Sequence, residues 1–308
     1  MTIVACCQLA PRVGDLAGNV ELSTDAIATA VTNGADVVVL PELVTSGYVF
    51  ESIEEAEAVA VTLDHPVFDG WATASAGART PACVIGGFCE RGRDGQLYNS
   101  LVVVDGGEVA AVYRKTHLWD RERLWFSPGD ALPPVVATAA GRIGVAICYD
   151  IELPELTRHL ALAGADLVVV PVNWPLVPRP AHEHPPEVVI AMAAARVNRM
   201  AIACCDRTGT ERAVTWTAGT VIVDAEGWLV AAAADQSDVV TADVDLTRSR
   251  NKQLTDLSHA LDDRRRDLYG LASSLPGTGS PSSTPRSTRS RLADSARRSP
   301  TSLPGAMS

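Results

Sequence analysis

The sequence predicts an α/β fold in which helices cover mixed β-sheets. Two observations carry that reading. Short runs rich in β-branched residues alternate along the chain with longer runs of helical periodicity. Several of the short runs, such as DVVVLPE and DLVVVPVNW, are apolar through their whole centre, the pattern of strands buried on both faces.

The elements follow in order. TIVACCQL reads as a strand. NVELSTDAIATAVTNGA reads as a helix, with Val20, Ile27, Ala30 and Val31 on its apolar side and a stop at Asn33-Gly34. DVVVLPE is a buried strand. ACVIGGFCE, YNSLVVVD and GEVAAVYRK are three more, divided by Gly-rich turns. RIGVAICYD is a strand, PELTRHLALAGA a helix and DLVVVPVNW a strand. EVVIAMAAARVNRM is a helix, AIACCD and GTVIVDAEG are strands, and DVVTADVDL closes the set. One stretch echoes another: NGADVVVLPEL (33–43) resembles AGADLVVVPVN (163–173). Both read as helix end, turn, buried strand and proline. That fits two related layers inside one domain, taken as residues 1–270. The remainder, 271–308, is rich in Ser, Pro, Thr and Arg with almost no bulky apolar residues, and is expected to be a disordered tail.

Composition narrows the function classes. Hydrophobic residues make up 47% of the 308, enough for a sizeable core. The net charge is −11, and the tail holds five arginines against one aspartate, so residues 1–270 carry −15. An acidic body argues against a nucleic-acid partner, which needs clustered cations. No apolar stretch approaches the ~18 residues of a membrane helix, so no membrane partner is expected. MTIVACCQLA lacks the charged start of a signal peptide. Seven cysteines show no disulfide-framework spacing, and Cys6–Cys7 and Cys204–Cys205 lie inside apolar runs. A reduced, cytoplasmic protein is expected.

The basic residues pose a chemical question. The chain holds 24 arginines and only two lysines, Lys115 and Lys252. Lysine is a compact donor with a tunable pKa, whereas arginine is a wide, permanently charged fork. Lys115 stands at the end of VAAVYRK, Glu42 at the end of DVVVLPE, and Cys148 at the turn from RIGVAICYD into a helix. An amine, a carboxylate and a thiol thus sit at three strand ends, and the carboxyl edge of a sheet is where open α/β folds carry their sites. Taken singly, each also fits a surface charge or a buried strand-end cysteine. His117 lies two residues from Lys115, but no cysteine-protease signature surrounds Cys148, so it reads as structural. His182 and His184 flank a glutamate in a proline-rich loop without further paired ligands, and no metal site is expected.

LPELVTSGY, YRKTHLWDRERLWFSPGD and GVAICYDIELPE resemble the three signature stretches of the nitrilase superfamily of carbon–nitrogen hydrolases, in order and at the expected spacing. The resemblance extends to ARVNRMAIACCDRTGTE and covers about residues 2–270. It implies a four-layer αββα sandwich, a homodimer or higher homo-oligomer, and a thiol hydrolase without metal or organic cofactor. By resemblance, Cys148 attacks the carbonyl to give a thioester, and Glu42 is the general base and acid. Lys115 and the backbone N–H of Tyr149 hold the oxyanion, and Glu122 matches a second glutamate that orients Lys115 and substrate. Tyr149-Asp150 after the cysteine looks like the amidase branches, where nitrilases usually carry Trp-Glu. CYDIELPE is most similar to aliphatic amidases, including those acting on 5-aminopentanamide.

The expected reaction is release of ammonia from a small neutral or cationic aliphatic amide. Branches that take carboxylate-bearing substrates often have an arginine where this chain has Ile151-Glu152, and Glu152 would welcome an amine if it faces the pocket. Tyr48, Trp119, Asn173 and Trp174 are candidate pocket walls, with Trp174-Pro175 and the loop to Pro186 as one rim. An N-carbamoyl amine hydrolase, a nitrilase and a non-catalytic binding relative are the alternatives.

Overall fold

Side chains of the first strand, β1 (Thr2–Cys7), divide by parity. Val4 and Cys6 face one apolar cluster, and Ala5 and Cys7 face another. The next strand, β2 of Val37–Val39, does the same: Val37 and Val39 point inward and Val38 outward. A sheet buried on both faces needs apolar residues at every position, which is why these runs show no alternation. The computed structural model describes residues 1–77, 81–234 and 239–269. The proposed tail, 271–308, lies outside the described residues.

Between β1 and β2 runs α1 (Leu16–Thr32), capped at its start by the Asp15 carboxylate. There follow α2 (Ile53–Val59), α3 (Pro66–Ser75), β3 (Cys83–Arg91), β4 (Leu97–Asp105), β5 (Glu108–Arg114) and the short α4 (Glu122–Trp125). The second half contains β6 (Val135–Thr138), β7 (Gly141–Val145), α5 (Pro154–Leu162), β8 (Leu167–Pro171), α6 (Pro186–Asn198) and β9 (Ala201–Cys205). A small hairpin, β10 (Thr210–Glu211) and β11 (Val214–Thr215), precedes β12 (Val221–Val223), β13 (Leu229–Ala232) and β14 (Val239–Val244). A last ribbon joins β15 (Gln253–Thr255) to β16 (Ser258–His259). Met1–Arg264 form one unit; the described part of the second, Arg265–Tyr269, carries α7 (Arg266–Tyr269).

Two six-stranded sheets result, ordered β14-β1-β2-β3-β4-β5 and β13-β12-β9-β8-β7-β6. Their inner faces share one core, which holds Val4, Val39 and Ile85 of the first with Val145, Val169 and Cys205 of the second. Ile27 of α1 and Phe68 and Trp71 of α3 cover the outer face of the first sheet. Leu160 of α5 and Ala191 and Ala195 of α6 cover the second. The architecture is therefore the four-layer αββα sandwich. Each fully buried Val, Leu or Phe in these layers is worth ~1.5–3 kcal/mol.

The sequence echo marks a structural duplication. β1 and β2 run parallel as do β7 and β8, and in both sheets the third strand is parallel and the next two antiparallel. Gly34 (φ 91°) and Gly164 (φ 84°) end the two preceding helices in the left-handed region. Asp36 then accepts the Ile3 N–H at 2.8 Å, and Asp166 accepts the Arg142 N–H at 3.1 Å. Each aspartate locks the start of its own strand to the neighbouring one. β5 is antiparallel to β4 and so points the same way as β2, which brings the segments after both strands to one edge.

Candidate active site

The three reactive residues lie just beyond their strands. β2 stops at Val39, and Glu42 occupies a tight turn three residues on; β5 stops at Arg114, one residue before Lys115; β7 stops at Val145, and Cys148 opens a 3-10 turn, Cys148–Glu152. The sequence reading placed them at the strand ends; the structure sets them one to three residues further on. Leaving the ladder frees each backbone to turn its side chain toward the gap above the sheets.

Glu42, Lys115 and Glu122 meet there, all buried. The Lys115 Nζ donates to Glu42 Oε1 and to Glu122 Oε1, each at 2.7 Å. Asn99 Nδ2 also donates to Glu42 Oε1 at 2.7 Å, and the Asn99 carbonyl accepts the Lys115 N–H at 2.8 Å. Glu122 Oε1 takes the Tyr48 hydroxyl at 2.7 Å, and its Oε2 takes the Trp119 N–H at 3.2 Å. Both oxygens of Glu122 are thus occupied, whereas Glu42 Oε2 is buried and has no partner among the described residues. That oxygen is the one open to a proton.

Burial pushes the Glu42 carboxyl up, Lys115 pulls it back, and it settles at about 7. Burial works against the Lys115 ammonium, but Glu122 and Glu42 outweigh it and hold the amine charged well beyond the usual lysine range. Burial, then the charge of Glu42, raises the Cys148 thiol well above its ordinary value, while Lys115 and the backbone N–H of Asn173 act the other way. The resting sulfur is therefore a neutral thiol beside a base of near-neutral pKa. Attack on a carbonyl then needs the proton to leave as the sulfur advances.

Cys148 is held at φ 45°, a left-handed conformation that costs a non-glycine residue ~1–2 kcal/mol. Asp150 fixes this turn. It is fully buried, its Oδ2 accepts the Ile147 N–H at 3.1 Å and the Tyr113 hydroxyl at 2.8 Å, and its Oδ1 accepts the His117 N–H at 3.2 Å. One carboxylate so ties the nucleophile turn to the segment on both sides of Lys115. His117 pairs through Nδ1 with Asp150 at 2.8 Å, and this hydrogen bond raises its pKa. Sequence reading used Asp150 only as a branch marker and missed Asn99; partners 33 and 57 residues away leave no local signal. His182 and His184 are exposed.

A cavity of about 160 Å³ adjoins the cluster, with Glu122, Tyr48, Trp119 and Asn173 in its wall. Asn173 Nδ2 donates to the Glu42 carbonyl at 2.9 Å. Tyr149 packs its ring edge-to-face against Trp119, centroids 4.8 Å apart. Trp174 is not on the wall: its indole is buried over Gly219, and its backbone N–H donates to Asp206 at 3.0 Å. Glu152 also stands off the wall; burial and then Glu187 raise its pKa. The DRTGTE stretch supports the cavity from behind. Buried Arg207 donates to Glu211 at 2.8 Å, and Glu211 Oε2 accepts the N–H groups of Tyr48 at 3.0 Å and Val49 at 2.6 Å. Asp206 accepts the N–H groups of Trp174, Arg207 and Gly219.

Comparison with known proteins identifies the family and the fold. The model of the carbon-nitrogen hydrolase family matches residues 3–252. A nitrilase of Pyrococcus abyssi is 33% identical over 276 residues, covering 87% of this chain and 99% of that protein. An (R)-stereoselective amidase of a Pseudomonas species is 34% identical over 275 residues, covering 87% and 93%. Among solved structures, an amidase from Nesterenkonia sp. is 26% identical with a TM-score of 0.69, covering 87% of this chain and 95% of that one. A variant of the amidase from Nesterenkonia sp. AN1, 25% identical with a TM-score of 0.71 and covering 87% of this chain and 95% of that one, carries the acetamide moiety of fluoroacetamide added covalently at its active-site cysteine.

Proposed function

The chain belongs to the carbon-nitrogen hydrolase family, a hydrolase of the amidase type, and from that premise we propose how it acts and on what. Cys148 attacks the carbonyl carbon of a linear amide. Glu42 Oε2 takes the thiol proton as the C–S bond forms. The oxyanion is held by the Lys115 ammonium and the Tyr149 backbone N–H. Glu42 returns the proton to the leaving nitrogen, ammonia departs, and a thioester remains. Glu42 then deprotonates water, which releases the carboxylic acid and the thiol. Glu122 fixes Lys115 from the far side. The observation that carries this reading is the buried ammonium clamped by two carboxylates, one of which keeps an oxygen free.

The substrate we propose is a neutral amide. That reading rests on the mostly aromatic wall of the cavity, to which Glu152 does not contribute. The protein is proposed to work in the cytoplasm, as its seven cysteines are all free and buried and no described helix is long and apolar enough to cross a membrane. It is proposed to be at least a homodimer, since Leu162 of α5, Val189 and Val197 of α6, and Trp228 expose large apolar side chains; sedimentation of wild type and Val197→Asp tests this.

Ammonia release from acetamide, butyramide, 5-aminopentanamide, glutaramate, an N-carbamoyl amine and a nitrile tests the chemistry, with Cys148→Ala as control. Turnover of neutral amides that Cys148→Ala abolishes is the expected result. Turnover unchanged in Cys148→Ala would overturn the mechanism. Carbon dioxide released with ammonia from the N-carbamoyl amine alone would move the reading to that reaction.

A further inference from the structure

The cavity beside the triad is more aromatic than a short alkyl chain requires. Of the six tryptophans, five tyrosines and four phenylalanines in the chain, six line it: Tyr48, Phe50, Trp119, Trp125, Phe126 and Trp216. Clustering of this kind matches the mainly apolar, aromatic walls of small-molecule sites. The rings are held in place. Tyr48 meets Trp216 edge-to-face at 5.6 Å, Phe50 meets Phe126 at 6.2 Å, and the Arg207 guanidinium backs the Trp216 ring at 4.8 Å. The volume, about 160 Å³, is close to that of an engineered apolar cavity of ~150 Å³ that binds benzene.

The polar groups of the wall point the same way. Glu122 has both oxygens bound, so it offers no free countercharge to a cation. Asp120 and Arg121 are exposed and opposite in sign. Among the described residues, the buried wall atoms left without a partner are Asn173 Oδ1, an acceptor, and Trp216 Nε1, a donor. Asn173 is also the residue whose backbone N–H acts on the Cys148 thiol, so it marks the end where the amide group must lie.

We propose that the substrate is an uncharged primary amide whose acyl group carries a single six-membered ring. The ring fills the aromatic cavity, and the carboxamide lies at Cys148 with its N–H toward Asn173 Oδ1. This rests on the amidase reading and sharpens its substrate class.

Calorimetry on Cys148→Ala separates the two claims, because it reads the cavity without turnover. Phenylacetamide should bind with a Kd at least about tenfold below those of butyramide and 5-aminopentanamide, a difference of ~1.4 kcal/mol. Wild-type kcat/KM should follow the same order. Val214→Phe, which fills the cavity from the exposed hairpin side, should reduce that preference at least tenfold in both Kd and kcat/KM. Equal or tighter binding of butyramide or 5-aminopentanamide would overturn the ring proposal. So would a preference that Val214→Phe leaves intact, since the ring would then lie elsewhere. Selective ring binding without hydrolysis of any amide by the wild type would overturn the amidase reading and leave the cavity's preference standing.

Discussion

The two lysines of an arginine-rich chain each set a compact Nζ between two oxygen acceptors. Lys115 Nζ sits 2.7 Å from each of two carboxylates in a fully buried site. Lys252 Nζ donates to the carbonyls of Asn198 at 3.0 Å and Arg199 at 2.7 Å, and so closes the end of α6. Lys115→Arg should lower kcat/KM by ~10²–10³-fold, the loss typical of an oxyanion donor; steady-state kinetics on the preferred amide checks this, and a near-wild-type rate would remove Lys115 from the mechanism. A pH profile reads Glu42. Its carboxyl titrates at about 7, and only the ionised form can accept the thiol proton. Rate should fall as pH drops below about 7 and stay level above it, since Lys115 keeps its charge well into the alkaline range. An acid limb near the ordinary carboxylate value would assign the base elsewhere. The four polar residues of the cluster, Glu42, Lys115, Glu122 and Cys148, were legible because each lies in a long motif. Asp150, Asn99 and the Arg207–Glu211 pair were not, because their meaning lies in contacts across the fold.

At the scale of elements, the reactive turns are placed by what packs against them. Gly87 of β3 lies under the Glu42 turn so closely that a Cβ there would stand 2.4 Å from Leu43 N and 2.7 Å from Glu42 Cα. Gly87→Ala should therefore push Glu42 away from Lys115. We expect kcat to fall at least about tenfold, with an overpacking cost of ~1–3 kcal/mol visible as a lower Tm. A lowered Tm with unchanged kcat would mean that the turn tolerates the shift. The long apolar strands and the periodic helices α1, α5 and α6 were readable from sequence because burial on both faces and a 3.6-residue repeat leave strong patterns. The short helices α2 and α3 and the ribbons β10–β11 and β15–β16 were not read. At two to ten residues they carry too few periods, and tertiary packing decides them.

At the scale of the molecule, the two sheets repeat one plan, yet the second half holds Val172 where the first holds Glu42. The echo between residues 33–43 and 163–173 showed the duplication in outline; the asymmetry of the chemistry became visible only when the edges were brought together. Base and ammonium come from the first half, sulfur and the Asn173 amide from the second. The link between them is exposed at Asp130–Leu132. A chain severed after Ala131 would give two polypeptides, the first with five strands of its sheet and the second with a whole sheet and β14, the sixth strand of the other, and neither able to catalyse anything. Hydrolysis would then become a test of reunion: silent for either piece alone, returning on mixing, with a rate that depends on the concentration of both.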